Sequence, residues 1–205
     1  MVVATSPPVI EVDTSEVRRG YSLEDYRRFE AESLERHEYR DGEVVTMTGG
    51  SEAHNTITVN LVVLLGFLLR DSPLRLYSSD LRLWLPQYNR ATYPDVMVVE
   101  GEPVFQEQRS DEILNPTLIV EVLSPSTAAY DRGDKFRRYR SIPSFAEYLL
   151  VSQQEPYVEQ FSRRDEGVWE FRALEGLEGA ISLPRFDVEL PLGEIYRRVR
   201  FAETG

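Results

Sequence analysis

The chain alternates between segments in which apolar residues recur every three or four positions and segments in which they recur every second position. The first spacing places apolar residues on one face of a helix, and the second places them on one face of a strand. Residues 23–31 have the helical spacing, and Ser22 with Asp25 three positions later is typical of a helix N-cap box. We therefore predict a short amphipathic helix that begins after Ser22.

A longer helix is predicted from Ser51, a residue suited to the N-cap position, to about Arg70. Its apolar stripe consists of Ile57, Leu61, Leu64, Leu65 and Leu68. Further apolar residues widen this stripe almost all the way round the helix: Val59, Val62, Val63 and Phe67. A helix that is apolar on nearly every side is typical of a buried position, so we expect it to lie at the centre of the fold.

Strand-like segments separated by turn residues occupy much of the remaining chain. Asp41-Gly42, between two short strands, is typical of a tight hairpin turn. Further strands are predicted at residues 75–78, 80–85, 93–99, 147–151, 157–161 and 168–174. Residues 183–190, together with a turn at residues 195–199, are expected to close the edge of the sheet.

The strand predicted at residues 117–123 is unusual because Glu121 interrupts an otherwise apolar run. Such a run is typical of a strand buried on both faces, where an uncompensated carboxylate costs on the order of several kcal/mol. A helix predicted over residues 131–141 follows it, with Phe136 and Tyr139 facing inward and arginines over much of its surface. The carboxylate of Glu121 must therefore be compensated by a cation, a proton or several hydrogen-bond donors.

Length and composition fit one ordinary domain. The chain has 205 residues, and 41% of them are apolar, which is enough for a sizeable core. Residues 1–20 show little periodicity and are predicted to be a flexible tail, or to add an edge strand at residues 9–12. We predict a single domain over residues 21–205.

Charge and missing residue types narrow the function. The net charge of −12 argues against a surface that binds nucleic acid all over, but it permits a local basic groove or carboxylates that hold divalent cations. The chain has no cysteine, which excludes thiolate metal sites and is compatible with a reducing cytosol. No apolar run approaches the roughly 20 residues of a membrane-spanning helix, and the start of the chain does not resemble a signal peptide. We expect a cytoplasmic protein with no membrane association.

A second carboxylate can complete a site with Glu121. Asp95 follows Pro94 and precedes an apolar strand, and two adjacent strands would bring Asp95 and Glu121 to one edge of the sheet. Two carboxylates are suitable ligands for Mg²⁺, which polarises a phosphate and activates water in phosphodiester hydrolysis. Lys135, a lysine in a chain whose cations are mostly arginine, lies on the following helix and could orient that water or offset developing charge.

Six segments of the chain resemble one known family: YRDGEVV, HNTITVNL, YPDVMVV, PTLIVEVLSPST, YDRGDKFRRYRSIPSFAEYLLV and VELPLGEIY. From about Ser22 onward, their content and order are similar to the Uma family of restriction-endonuclease-like proteins, within the PD-(D/E)XK nuclease superfamily. The resemblance implies an α/β (α+β) fold in which helices flank a mixed β-sheet. It also implies a Mg²⁺-dependent or Mn²⁺-dependent endonuclease that acts on DNA as a homodimer.

The same resemblance assigns roles to residues. Pro94-Asp95 matches the PD pair and Glu121 matches the acid of the E-x-K motif, so Asp95 and Glu121 would hold the metal. Leu123 stands where that motif has lysine, and Lys135 matches the position to which the cation of the Uma pattern is relocated. The remaining assignments are an early catalytic acid at Glu43 and accessory residues at His54, Asp80 and Arg138.

Each assignment has a structural alternative. Glu121 could be neutralised by Arg132 or Arg138 in a buried ion pair, and Asp95 could cap the turn after Pro94. His54 and Asp80 could serve the structure alone, and the other assigned residues could be ordinary solvated side chains: Glu43, Lys135 and Arg138.

The missing E-x-K lysine and the negative charge also favour a rival function. In this alternative, the chain is a catalytically inactive module that binds nucleic acid or protein. For the expected homodimer, the candidate surfaces are the apolar strand edges at residues 9–12 or 158–161.

Overall fold

A computed structural model describes residues 17–201. Within these residues, five α-helices occur: α1 (Leu23–Glu32), α2 (Glu52–Leu68), α3 (Ala128–Tyr130), α4 (Phe136–Tyr139) and α5 (Leu192–Ile195). A π-helical turn, Asp131–Lys135, joins α3 to α4. The first seven strands are β1 (Val17–Arg19), β2 (His37–Arg40), β3 (Glu43–Thr46), β4 (Leu74–Ser78), β5 (Arg82–Leu85), β6 (Arg90–Thr92) and β7 (Val96–Glu100). The other seven are β8 (Glu112–Ile113), β9 (Leu118–Leu123), β10 (Glu147–Ser152), β11 (Tyr157–Arg163), β12 (Trp169–Glu175), β13 (Ala180–Leu183) and β14 (Val188–Pro191).

In the part of the chain that the structure describes, the strands form two six-stranded sheets and one two-stranded sheet. Sheet A has the order β1-β3-β2-β6-β5-β8, and sheet B has the order β12-β11-β10-β9-β7-β4. Each is mixed, because β5–β8 and β9–β10 are parallel whereas the other pairs are antiparallel. Mixed sheets combined with helices confirm the predicted α+β class, although the strands divide between two large sheets.

Sheet B has an apolar core on each face. One core joins α2 to the sheet through residues such as Ile57, Leu61 and Val120. The other joins Ile119 and Leu123 to Tyr139 of α4 and to Leu83 of sheet A. Alternate residues of β9 therefore enter opposite cores, which explains why this strand is apolar at nearly every position.

Local sequence signals account for several boundaries. Ser22 and Asp25 form a reciprocal capping box at the start of α1, as predicted. Asp41 and Gly42 have φ angles of 50° and 95°, so the two-residue turn between β2 and β3 uses the left-handed conformations that suit an Asp-Gly hairpin. Ser51 caps α2 by accepting a hydrogen bond from the backbone N–H of His54, which confirms the predicted start of the long helix.

Other expectations need correction. The long helix does not lie at the centre of the fold: α2 buries Ile57, Leu61 and Leu65, but it leaves Val59, Val63 and Phe67 exposed. The predicted helix at residues 131–141 begins earlier, at Ala128, and contains a π-helical turn. Residues 183–190 close no edge of a large sheet, because β13 and β14 pair only with each other within the described chain.

Two expectations concern strand edges. Residues 158–161 lie within β11, which pairs with β10 on one side and β12 on the other, so this segment is not a free edge for a second chain. Within the predicted tail of residues 1–20, Val17–Arg19 forms β1 and pairs with β3. The strand predicted at residues 9–12 lies outside the described residues. In the described part of the chain, none of the helices has the length and apolar character needed to cross a membrane.

Candidate active site

Glu121 lies on β9 in the middle of sheet B, between β7 and β10. It shares the face of β9 that carries Ile119 and Leu123, and this face packs against the helical segment formed by α3, the π-helical turn and α4. Only 4% of the residue is exposed. The strand therefore presents a carboxylate inside an apolar core, and the neighbouring elements must compensate it.

Asp95 stands level with Glu121 on the adjacent strand. Val96 pairs with Val120 in antiparallel register, so Asp95, one residue before β7, lies opposite Glu121, one residue further along β9. The backbone N–H of Val122 donates a hydrogen bond to Oδ2 of Asp95 at 2.7 Å. This bond orients the Asp95 carboxylate on β9 beside Glu121, as the sequence predicted for the two acids.

Lys135 and Tyr139 reach Glu121 from the helical segment. The Nζ of Lys135 lies 3.0 Å from Oε1 of Glu121, and the hydroxyl of Tyr139 donates to the same oxygen at 2.8 Å. The two side chains are four positions apart and therefore project from one helix face. Lys135, rather than Arg132 or Arg138, is thus the cation that compensates Glu121.

Asp131 is a further buried acid that sequence reasoning missed. Its Oδ1 lies 3.1 Å from Nζ of Lys135, and the residue is 2% exposed. Both residues belong to the π-helical turn, a rare conformation that is frequent at functional sites. Lys135 is therefore held between two carboxylates, those of Glu121 and Asp131.

Burial and the neighbouring charges together determine the protonation of Glu121 and Lys135. Burial raises the pKa of Glu121 to about 8, and the negative charges of Asp131 and Asp95 add to this rise against the effects of Lys135 and Tyr139. Burial alone would lower the pKa of Lys135, but the carboxylates of Glu121, Asp131 and Glu38 outweigh it and hold that pKa well above its usual range. The lysine is therefore charged at neutral pH, whereas Glu121 retains a proton over much of that range when no further cation is present.

His54 contacts Asp95 from the first turn of α2. Its Nε2 lies 3.4 Å from Oδ2 of Asp95, the oxygen that also accepts from Val122. The contact with Asp95 raises the pKa of His54 above its usual value and outweighs the effect of burial. Of the three predicted accessory residues, His54 is thus the one in direct contact with a predicted metal ligand.

Glu38 on β2 is the early acid nearest to this group, and sequence reasoning missed it. Its carboxylate accepts hydrogen bonds from Thr92 at 2.5 Å and from Arg40 at 2.7 Å. Burial would raise the pKa of Glu38, but the charges of Lys135 and Arg40 and the hydrogen bond from Thr92 lower it below its usual value. A narrow cavity of about 10 Å³, enough for about one water molecule, is lined by Glu38, Arg40 and Lys135 among others.

The structure does not bring Glu43 and Asp80 into this group. Glu43 follows the hairpin turn and forms its ion pair with Arg19 of β1 at 2.9 Å. Asp80 is 80% exposed at its side chain and pairs with Arg36. Glu38, rather than Glu43, is thus the acid of the HEYRDGE segment that faces the site.

The arginines of the helical segment have other partners. Arg132 pairs with Glu159 at 2.9 Å, and Arg138 pairs with Asp134 at 2.9 Å and donates to the hydroxyl of Tyr130 at 3.1 Å. The proposed alternative of a Glu121 bridge to either arginine is therefore wrong. Arg138 nevertheless lines the same narrow cavity as Lys135 and Glu38.

The donor set is suited to a hard divalent cation held mainly by two carboxylates. In the described part of the chain, no hydrogen bond reaches Oε2 of Glu121 or Oδ1 of Asp95, so each acid keeps an oxygen for a ligand. Among residues 17–201, three or more acidic or histidine side chains nowhere converge into a complete metal cage. A divalent cation held by these two carboxylates would therefore need further ligands, such as water.

Sequence and fold relate the chain to known proteins. Residues 23–193 match the family model Uma2, described as "Putative restriction endonuclease". Two uncharacterized proteins of Synechocystis are similar: sll1609, 38% identical over 74% of this chain and 86% of its own, and slr1290, 36% identical over 88% and 93%. A crystal structure from Anabaena variabilis, titled a "putative nuclease belonging to DUF820", superposes with a TM-score of 0.69 at 16% identity, covering 86% of this chain and 97% of its own. The last comparison concerns the fold alone.

Proposed function

The chain belongs to the Uma2 family, and from this premise we propose that it is a Mg²⁺-dependent or Mn²⁺-dependent endonuclease that hydrolyses phosphodiester bonds in DNA. The observation that carries the proposal is the placement of Asp95 and Glu121 at one level of two paired strands, with Lys135 3.0 Å from Glu121. Metal-assisted phosphodiester hydrolysis uses acidic residues as metal ligands and can use a cation to stabilise developing negative charge, and this group offers both.

Asp95 and Glu121 would hold the metal through the oxygens that face away from their present partners. A bound Mg²⁺ supplies Lewis acidity, which polarises the scissile phosphate and lowers the pKa of a water. Val122 and His54 fix the orientation of Asp95, and Tyr139 fixes that of Glu121. The carboxylates are therefore preorganised, so little reorganisation is needed when substrate arrives.

Lys135 supplies a fixed positive charge. Because Glu121, Asp131 and Glu38 surround it, its ammonium remains charged throughout the neutral range. A charged group placed in a partly buried site stabilises negative charge that develops on a phosphate oxygen more strongly than it would in water. We assign Lys135 to this role and Asp131 to holding the lysine in position.

The test is cleavage of DNA by the purified full chain. Supercoiled plasmid, linear duplex and single-stranded DNA are incubated with Mg²⁺, with Mn²⁺ and with a chelator. We expect metal-dependent cleavage that falls by about 100-fold or more in Asp95→Asn and in Lys135→Met. Asp80→Asn is the matched control because Asp80 lies outside the group, and this variant should cleave like the wild type.

Metal binding is measured separately from cleavage. Mn²⁺ should raise the melting temperature of the wild type and of Asp80→Asn but not that of Asp95→Asn, because a ligand bound only by the native state stabilises it. Wild-type cleavage that survives Asp95→Asn unchanged would overturn the assignment of the site. DNA binding in a mobility-shift assay without cleavage of any substrate would instead favour the inactive binding module.

A further inference from the structure

The outer face of α2 carries an apolar ridge that no element of the described chain covers. Val59, Val63 and Phe67 are 51%, 65% and 61% exposed, whereas Ile57, Leu61 and Leu65 on the opposite side are fully buried. Three large exposed apolar residues on one helix form a contiguous patch, and such patches commonly mark interaction surfaces. The helix is thus apolar on two sides, of which only one is used within the chain.

Val59 and Val63 of this ridge lie on a line with the spacing of a coiled-coil seam. Alternating steps of four and three residues connect Glu52, Thr56, Val59, Val63, Gly66 and Arg70. Thr56 is half-buried and the other five are exposed, and Phe67 lies beside this line, next to Gly66. A repeat of this kind keeps one seam on the same side of a helix over several turns. Glu52 begins α2, and Arg70 follows its last turn, so the seam spans the whole helix, about 27 Å at 1.5 Å per residue.

The pattern of residues along the seam is complementary to the same pattern on a second helix that runs in the opposite direction. Reflection about residue 61 exchanges Glu52 with Arg70, Thr56 with Gly66, and Val59 with Val63. An antiparallel second copy would therefore place valine against valine at the centre, a glycine against a threonine on either side, and opposite charges at both ends. A parallel copy would instead place each charge against its like.

We propose that this face of α2 is the contact between two copies of the chain, which pack as antiparallel helices about a two-fold axis at the level of Leu61. A two-fold contact uses the same patch on both copies, so it requires a pattern that reads alike in both directions. Charge complementarity supports a second copy over an unrelated partner: Arg70 is 60% exposed at its side chain and pairs locally with the more exposed Asp71, so its guanidinium lies at the surface. Glu52 is exposed as well.

The seam alone makes a small interface. A helix face about 27 Å long and about 10 Å wide offers on the order of 300 Å² per copy, less than the roughly 800 Å² per partner of a standard interface. We therefore expect a dimer that dissociates in the micromolar range and that becomes populated as the concentration rises. The proposal is independent of nuclease activity.

Disulfide cross-linking tests the register directly, since the chain contains no cysteine. Glu52→Cys and Arg70→Cys are prepared as separate proteins and oxidised alone and after mixing. The antiparallel register predicts cross-linked dimer in the mixture and little in either protein alone, because like positions would lie about 27 Å apart, far beyond disulfide reach. Equal cross-linking of each protein alone would indicate a parallel contact and overturn the proposal.

Sedimentation velocity over a concentration series tests the contact itself. Val63→Lys should weaken dimerisation by about tenfold or more, whereas Val104→Lys, at a valine that is 50% exposed elsewhere, should not. Glu52→Arg and Arg70→Glu should each weaken it, and the double variant should restore it because the end charges are complementary again. A wild type that remains monomeric up to several hundred micromolar, or a dimer unaffected by Val63→Lys, would overturn the proposal.

Discussion

Lys135 and Glu121 form a buried ion pair in which Nζ lies 3.0 Å from Oε1 and the two side chains are 12% and 5% exposed. Removal of one partner from such a pair leaves an uncompensated charge and typically costs about 3 to 5 kcal/mol. We predict that Lys135→Met lowers the free energy of unfolding by an amount in this range above about pH 8, where Glu121 is ionised, as measured by urea denaturation. The double variant Lys135→Met with Glu121→Gln should recover only part of the loss, because the buried Asp131 also pairs with Lys135 and would remain without it.

Arg75→Met is the control for this cycle, since Arg75 forms an exposed pair with Glu102, whose side chain is 84% exposed. Exposed pairs contribute about 0 to 1 kcal/mol, so this variant should change little. If Lys135→Met costs no more than Arg75→Met, the Lys135–Glu121 pair does not compensate a buried carboxylate.

The raised pKa of Glu121 predicts how stability depends on pH. The native state holds a proton on Glu121 up to about pH 8, whereas the unfolded chain releases it near the ordinary value of 4.5. This contribution is therefore fully present below about pH 4.5 and is lost as the pH rises towards 8. In the absence of metal, Glu121→Gln should become progressively more stable relative to the wild type over that window, by on the order of a few kcal/mol.

Thermal melts of both proteins in a chelator, from pH 5 to pH 8.5, measure the widening difference. Asp80→Asn provides the comparison because it removes an exposed carboxylate outside the group. A wild type and Glu121→Gln variant whose melting temperatures change in parallel would show that Glu121 titrates normally.

Gly50 controls the position of His54. A Cβ at residue 50 would lie 2.8 Å from Nδ1 of His54, too close for a normal contact, whereas a Cβ at Gly49 would meet nothing within 4 Å. Gly50→Ala should therefore displace the imidazole from Asp95 and lower the pKa of His54, because contact with Asp95 is what raises it. NMR titration can follow this change, since the chain has only two histidines.

Gly49→Ala adds the same methyl group one residue earlier and should leave the titration of His54 unchanged. A pKa of His54 that is equal in both variants would mean that the ring keeps its contact with Asp95 without the space at Gly50.

Glu38 and Glu43 belong to the same hairpin, but only Glu38 lies near Lys135. Glu38 contributes to the charge around Lys135, but Glu43 pairs with Arg19 and is 41% exposed at its side chain. We predict that Glu38→Gln lowers the rate of DNA cleavage by about 10-fold to 100-fold through misplacement of Lys135, and that Glu43→Gln has little effect. Single-turnover cleavage assays at saturating metal provide the measurement, and equal rates for the two variants would exclude a role for Glu38.

The sequence was informative where a residue type contradicted its surroundings. Glu121 in an apolar strand and Asp95 before another pointed to the site because a buried carboxylate is costly. The helix caps at Ser22 and Ser51 and the Asp41-Gly42 turn were also predicted correctly, because each depends on interactions within a few residues of the chain. Glu38 escaped notice because it lies in the short polar segment HEYR, where a glutamate is ordinary.

Long-range contacts could not be derived in this way. The partner of Glu43 is Arg19, which reaches it only because β1 pairs with β3. Asp131 and Lys135 are four positions apart, a spacing that predicts contact on a helix, but nothing in that spacing indicates that Asp131 is buried beside Glu121. The two apolar sides of α2 were predicted together as one buried surface, because periodicity cannot tell which apolar side meets the rest of the chain.

The lysine reaches Glu121 from outside the strand, and residues 124–127 are the connection between the two. One residue inserted within the helical segment, between Ala128 and Lys135, would turn the lysine by about 100° about the helix axis, yet the backbone pairing of β9 could be retained. If the proposed function holds, a relative with such an insertion should keep both acids and the fold but lose cleavage.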